Sequence, residues 1–124
     1  MISRAIAERL HERSIEEFGG AKGMRDEGGV EAALARPYQT FGGEDLYPTP
    51  EAKALMESII IRHPWMDGNK RTGLGLALFL LRKEGLRVEA TQNELYELTI
   101  GVGEGRISAK EIQEWLEPRI RRII

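Results

Sequence analysis

The most constraining feature of the chain is a polar segment that leads directly into its most apolar segment. Residues 63–73 are His-Pro-Trp-Met-Asp-Gly-Asn-Lys-Arg-Thr-Gly, and residues 74–81 are Leu-Gly-Leu-Ala-Leu-Phe-Leu-Leu. Such an order places polar side chains at the start of a buried helix. There the first backbone N–H groups lack intrahelical partners and the helix dipole favours an anion. We therefore interpret residues 63–73 as a phosphate site with a general base beside it.

Size and charge narrow the class of protein. A chain of 124 residues is long enough for one domain with a sizeable core, so we assign residues 1–124 to a single domain. The net charge of −2 provides no general attraction to nucleic acid or to an anionic membrane, so any anion site must be local. The absence of cysteine excludes disulfides and thiolate metal sites.

We expect neither a targeting segment nor a membrane-spanning segment in this sequence. Charged residues interrupt positions 1–9, where a signal peptide would need an unbroken apolar stretch. The apolar run at 74–81 is too short to cross a bilayer. We expect a cytoplasmic protein that contacts neither a membrane nor nucleic acid directly.

Apolar periodicity predicts an all-α fold, with about six helices packed around one central buried helix. No long alternating run indicates a sheet, and residues 86–90 are expected to form an extended connector. The predicted helices span residues 2–17, about 29–35, 49–62, 69–83, 91–100 and 108 onwards.

Helix limits follow from capping residues. Thr49-Pro50 favours a helix start, and Gly85 favours the end of the central helix. Capping boxes at residues 91–94 and 108–111 open the last two helices. Glycines at 101, 103 and 105 are expected to break the helix that begins at 91.

Two glycines inside the central helix call for a separate explanation. Gly73 and Gly75 are unfavourable in a helix interior, so we expect another backbone or a ligand to approach closely there.

Residues 37–48 contain three aromatic residues and are predicted to form a loop. This loop is interpreted as a lid over the core or as one wall of a cleft.

The polar segment holds a candidate base and a candidate metal ligand. An imidazole titrates near neutrality, so His63 can accept a proton from a hydroxyl. Asp67 is a carboxylate that could bind Mg²⁺ together with the phosphates of a nucleotide, since Mg²⁺ prefers oxygen ligands.

The remaining residues are suited to binding phosphate. Gly68 lets the backbone turn and approach a ligand closely, and Asn69 offers amide donors at the helix start. Lys70 and Arg71 place two cations at the same point, and the Arg fork matches phosphate oxygens. Together with a base and a metal, these residues are typical of phosphate transfer from a nucleotide to a hydroxyl.

Each residue also has a purely structural interpretation. His63 could cap or pack, Asp67 or Asn69 could be the N-cap of the central helix, and Gly68 could serve only as a turn. The two basic residues could be solvated surface charges. The combination of residues, rather than any one of them, favours a catalytic anion site.

Residues 63–71 resemble the signature of the Fic/Doc superfamily, His-Pro-Phe-x-Asp/Glu-Gly-Asn-Gly/Lys-Arg. The chain also resembles the Doc (death-on-curing) branch over nearly its whole length. The segments that carry this resemblance are residues 18–20, 23–26, 31–34, 79–85 and 101–108.

The resemblance implies a helical toxin of a toxin–antitoxin pair. Members of the Doc branch phosphorylate elongation factor Tu on a threonine with ATP and Mg²⁺ and so inhibit translation, whereas Fic-type members transfer AMP to a hydroxyl. By resemblance, His63 is the base, Asp67 binds the metal, and the phosphates are held by Asn69, Lys70 and Arg71.

Several positions bear on which reaction is catalysed. Lys70 stands where AMP-transferring members usually have Gly, and Leu74 stands where they carry a second Arg. Both features resemble the kinase branch, whereas Pro64 and Gly68 resemble the AMP-transfer consensus. Trp65 replaces the usual Phe and is interpreted as a hydrophobic anchor of the loop.

Regulation is expected to come from outside the chain. The sequence lacks the Ser/Thr-x-x-x-Glu-Gly/Asn motif with which many Fic proteins restrain themselves. A separate antitoxin, Phd-like or similar, is therefore implied, with a segment that orders on binding.

A non-catalytic binding module is a further hypothesis, although the complete polar set at residues 63–71 argues against it. We interpret His11, the second histidine, as structural.

Overall fold

The structure is a computed structural model that describes residues 2–36 and 49–123. The predicted loop at 37–48, with its interpretation as lid or cleft wall, lies outside the described residues.

Six helices form most of the described chain, so the prediction of an all-α fold is confirmed. No helix within the described ranges is long and apolar enough to cross a membrane. The elements are α1 (Arg4–Phe18), α2 (Glu27–Ala35), α3 (Thr49–Arg62), α4 (Asn69–Lys83), β1 (Leu86–Val88), α5 (Gln92–Gly103), α6 (Ala109–Leu116), a 3₁₀ turn (Glu117–Arg119) and β2 (Ile120–Arg122).

Helix α4 occupies the predicted residues 69–83 and lies at the centre of the packing. It contacts α1, α3, α5 and β1. Its inner face buries apolar side chains every third or fourth residue, which is the spacing of one helix face. These side chains are Leu76, Ala77, Leu80 and Leu81, and they share one core with Leu55, Met56, Ile59 and Ile60 of α3.

Local capping explains where the other helices begin. The side chain of Ser3 caps α1, and the side chain of Asp26 accepts a hydrogen bond from Gly29 N, so α2 begins two residues earlier than predicted. Both predicted capping boxes are present, at Thr91 and Ser108. Gly85 follows Glu84, the C-cap of α4, and has a φ of +78°, as expected for a helix stop.

The predicted end of α5 is wrong. The helix passes through Gly101 and ends at Gly103, and the chain then turns at Gly105, where φ is +76°. The Gly101 carbonyl accepts hydrogen bonds from Arg106 N and Ile107 N, and the Ile107 side chain lies over the glycine. Gly101 is therefore a site of close packing rather than a helix breaker.

Residues 86–88 are extended, as predicted for the connector at 86–90, but the prediction missed that they pair into a sheet. β1 pairs antiparallel with β2, with Leu86 opposite Arg122 and Val88 opposite Ile120. The partner strand β2 is distant in sequence and each strand has three residues, so neither segment alone shows a long alternating pattern.

The expected close approach of another backbone is confirmed at Gly73, whereas the neighbour of Gly75 is the side chain of Leu10. A Cβ added to Gly73 would lie 3.2 Å from the Met56 carbonyl oxygen and 3.0 Å from Ile60 Cγ1. A Cβ at Gly75 would lie 2.7 Å from Leu10 Cδ2. The glycines therefore let α3 and α1 pack directly on the central helix.

We predict that Gly73→Ala lowers the free energy of unfolding by about 1–3 kcal/mol, because the added methyl meets a backbone carbonyl that cannot move aside. Urea denaturation measures the change. The matched control is Gly28→Ala, at an exposed position of α2 where the nearest atom is 3.7 Å away. This control should be more stable than the native chain by about 0.5–1 kcal/mol. Destabilisation of both variants to a similar extent would contradict the packing argument.

Candidate active site

The chain leaves α3 through a sharp turn at His63. Its N–H donates to the Ile59 carbonyl at 3.2 Å, and its φ of +50° lies in the left-handed region that ends many helices. The next carbonyl, that of Pro64, accepts from the N–H groups of Arg25 and Asp26 at 2.8 and 3.1 Å. The loop after His63 is thereby tied to the segment between α1 and α2.

Asn69 closes this loop from the other side. Its Oδ1 accepts from Trp65 N at 3.0 Å, and its Nδ2 donates to the Trp65 carbonyl at 2.9 Å. Both residues are buried. The side-chain amide of Asn69 thus braces the loop, and the backbone N–H of Asn69 is the group left to face an anion.

Helix α4 begins without a side-chain cap. Its N-cap is Gly68, with φ +77° and ψ 13°, so the structural alternative in which Asp67 or Asn69 is the N-cap is wrong. The first intrahelical bond runs from Thr72 N to the Gly68 carbonyl. Within the described ranges, no side chain accepts from the N–H groups of residues 69–71. These groups are available to an anion.

The Asp67 carboxylate is exposed but held in place. Oδ2 accepts from Ala21 N at 3.2 Å, and Oδ1 accepts from Gly68 N at 2.9 Å. These two backbone hydrogen bonds, with help from the charge of Arg71, keep the pKa of the carboxyl below its ordinary value. Asp67 is therefore ionised at neutral pH.

Arg71 is oriented by α1. Its Nε donates to Ser14 Oγ at 2.9 Å, and an Nη2 hydrogen is donated to the Gly19 carbonyl at 2.9 Å. The guanidinium carbon lies 5.3 Å from the ring centroid of Phe18. These contacts use only part of the five-donor fork of an arginine, so further N–H groups can bind a ligand.

His63 is half-buried and prefers its neutral form. Burial lowers the pKa of the imidazole below the ordinary value of 6.5, and the charges of Lys70 and Arg25 lower it further. A neutral imidazole at neutral pH is the form that accepts a proton.

One cleft of about 800 Å³ brings the candidate residues together. Its floor is formed by the start of α4 with Leu74 and Leu78, and its far wall includes Leu95 and Tyr96 of α5. All six predicted site residues line this cleft: His63, Asp67, Gly68, Asn69, Lys70 and Arg71.

A bound Mg²⁺ would depend on a nucleotide. Among the described residues, no three His, Cys, Asp or Glu side chains lie together as a metal site. Asp67 has an exposed, ionised carboxylate with lone pairs beyond the two that accept N–H groups. This fits Mg²⁺, which is commonly held by one or two carboxylates together with substrate phosphates.

Sequence reasoning missed the residues that support the site. Ser14 and the backbone of Gly19 and Ala21 orient Arg71 and Asp67, and Phe18 and Tyr96 flank the cleft. The Gly-Gly pair after α1 could have indicated that another residue lies close to the backbone there. A Cβ at position 20 would lie 2.8 Å from Asp67 Oδ2. Nothing in the sequence marks Ser14.

Comparisons with known proteins agree on one family. Residues 2–81 match the Fic/DOC family. The chain is 35% identical over 108 residues to the protein kinase doc of Escherichia phage P1, covering 86% of this chain and 85% of the relative. It is 41% identical over 75 residues to the toxin Doc of Mycolicibacterium smegmatis, covering 59% of this chain and 58% of the relative.

We predict that Asn69→Ala lowers the free energy of unfolding by about 1–3 kcal/mol, because it leaves the buried N–H and C=O of Trp65 without partners. Chemical denaturation measures the loss. Asn93→Ala, at an exposed position of α5, is the matched control and should change stability by less than about 0.5 kcal/mol. Equal stability of the two variants would show that Asn69 is not the brace of the loop.

A second prediction concerns the charge of His63. In an NMR titration, the imidazole should titrate below pH 6.5 in the native chain. Lys70→Met should raise its pKa, because the substitution removes a nearby positive charge but keeps most of the apolar stem. Lys53→Met is the control. The Lys53 ammonium donates a hydrogen bond to Gln113, so its removal should leave the titration of His63 unchanged. A midpoint above 6.5 in the native chain would refute the prediction.

Proposed function

The chain belongs to the Fic/DOC family, and on this basis we propose that it is a Doc-type toxin with protein kinase activity. It transfers phosphate from ATP to a Thr or Ser hydroxyl of a translation factor, elongation factor Tu being the first candidate, and thereby inhibits translation. The observation that carries this proposal is the single cleft in which a neutral imidazole, an ionised carboxylate and an uncapped helix start with two cations meet.

His63 acts on the target hydroxyl. The hydroxyl oxygen attacks the γ-phosphorus, the bond from that phosphorus to the bridging oxygen of ADP breaks, and the hydroxyl proton passes to the imidazole. The lowered pKa of His63 keeps the ring neutral and ready for this proton at neutral pH. His63 directly follows α3, and its backbone has the left-handed conformation that ends the helix. This turn sets the position from which the ring extends.

The start of α4 binds the phosphates. The free N–H groups of residues 69–71 and the side chains of Lys70 and Arg71 supply positive charge where negative charge moves during transfer. Asp67 would hold Mg²⁺, which neutralises charge on the phosphates. Ser14 and Gly19 keep the guanidinium of Arg71 aimed along the cleft.

Two features of the cleft favour phosphate transfer over AMP transfer. The side chain of Lys70 passes beside α5, where its Cε would lie 2.8 Å from a Cβ built on Gly103. A lysine there occupies space that a glycine would leave to the nucleotide. Leu74 lines the cleft one turn further along α4, where it adds no charge for a second phosphate contact. AMP transfer is the alternative outcome of the test below.

The proposed partners follow from the same assignment. The relatives named as a toxin and as a protein kinase support a toxin–antitoxin pair. The sequence carries no motif for self-restraint, so a separate antitoxin would control the toxin. Disordered segments that fold on binding are suited to this kind of control.

The test is transfer of label from ATP to purified elongation factor Tu in the presence of Mg²⁺. Label at the γ position should appear on the factor, and His63→Ala should reduce the rate by about 10²–10⁴-fold, since proton removal is lost. Lys110→Ala, on an exposed part of α6, is the control and should retain the native rate.

The alternatives give distinct results in the same assay. Transfer of label from the α position would identify an AMP transferase. Absence of transfer from either position, with elongation factor Tu and with a panel of other translation factors, would contradict the proposed enzyme and favour a binding module.

A further inference from the structure

His11 lies directly behind the loop that forms the proposed site, yet it is not among the residues that line the cleft. It is on α1 and is 5% exposed. Its ring stacks on the ring of Trp65, with centroids 4.5 Å apart and an interplanar angle of 8°. A buried histidine in a parallel stack has a fixed ring orientation.

The second contact of His11 reaches the turn itself. Its Nε2 lies 2.7 Å from the Asp67 carbonyl oxygen. A carbonyl oxygen can only accept, so Nε2 carries the hydrogen and donates it. A Cβ built on Gly68 would lie 3.6 Å from His11 Cδ2, which places the ring against the back of the Asp67–Gly68 turn.

The neighbours of His11 on α1 serve the same segment. Ser14 accepts the Nε hydrogen of Arg71, and Ile15 Cδ1 would lie 3.2 Å from a Cβ at Gly68. One face of α1 therefore supports the turn from Asp67 to Arg71, and His11 provides the hydrogen bond to the backbone of that turn.

We propose that His11 is a positioning residue for the proposed transfer reaction. Its hydrogen bond sets the direction of the peptide after Asp67, and through it the aim of the Asp67 carboxylate and of the first α4 amides into the cleft. The inference rests on the proposed function, because positioning matters only if these groups bind Mg²⁺ and phosphates. Outer partners of this kind commonly change metal affinity or activity by about 10–100-fold when removed.

Two substitutions separate the hydrogen bond from the stack. His11→Phe keeps an aromatic ring against Trp65 but cannot donate to the Asp67 carbonyl. His11→Gln can place an amide N–H near the position of Nε2 but loses the stack. If His11 only packs, Phe should preserve both stability and activity better than Gln. If His11 positions the turn, Gln should preserve activity better although Phe preserves stability better.

The experiment measures thermal stability, kcat and the Mg²⁺ concentration for half-maximal phosphate transfer in the native chain and both variants. We expect His11→Phe to raise this Mg²⁺ concentration by about tenfold and His11→Gln to restore it to within about threefold of the native value. Ile112→Val, in the core of α6, is a control that lowers stability far from the cleft and should leave the Mg²⁺ dependence unchanged. Activity that follows stability across all variants would overturn the proposal.

A readout without catalysis separates failure of this inference from failure of the proposed function. Amide hydrogen exchange reports whether the N–H groups of Ala21 and Gly68 still bind the Asp67 carboxylate. Both amides should exchange faster in His11→Phe and at close to the native rate in His11→Gln. If the native chain transfers no phosphate, the proposed function fails, and this exchange measurement alone decides whether His11 sets the turn. Unchanged exchange of both amides in His11→Phe would show that it does not.

Discussion

The hydrogen bonds between the Asn69 side chain and the backbone of Trp65 are the constraint on which the site depends. They close the loop between α3 and α4 in a buried setting, where an unpaired peptide group would be costly. With the loop closed, α4 begins at a left-handed glycine that brings no side-chain cap. The free end of the central helix is thus a consequence of how the loop satisfies its own backbone.

The contrast with four other helices shows what this arrangement achieves. The side chains of Ser3, Asp26, Thr91 and Ser108 each accept a hydrogen bond at the start of a helix. The start of α4 instead faces a cleft lined by an imidazole, a carboxylate and two cations. Supporting contacts come from α1, the segment after it and α5. The chemistry of the motif therefore depends on packing well outside the motif.

Much of the fold was predictable because its signals are local. The capping boxes, the stop at Gly85 and the extent of α4 all follow from neighbouring residues, and the motif residues do line one cleft. The sheet was missed because β1 pairs with a strand more than 30 residues away, and the end of α5 was misplaced because Ile107 folds back over Gly101. The bracing role of Asn69 is visible only in the structure. From sequence, a side-chain amide at a helix start could equally well cap the helix, bind a phosphate or brace a loop.

The central claim is that the open end of α4 binds the phosphates of a nucleotide. It is tested most directly by ¹H–¹⁵N spectra of the native chain titrated with Mg²⁺ and a non-hydrolysable ATP analogue. The account predicts saturable shifts that are largest for the amides of residues 68–71, accompanied by a change at the His63 ring. Saturable binding that leaves those amides unshifted, or no binding at millimolar nucleotide, would contradict it.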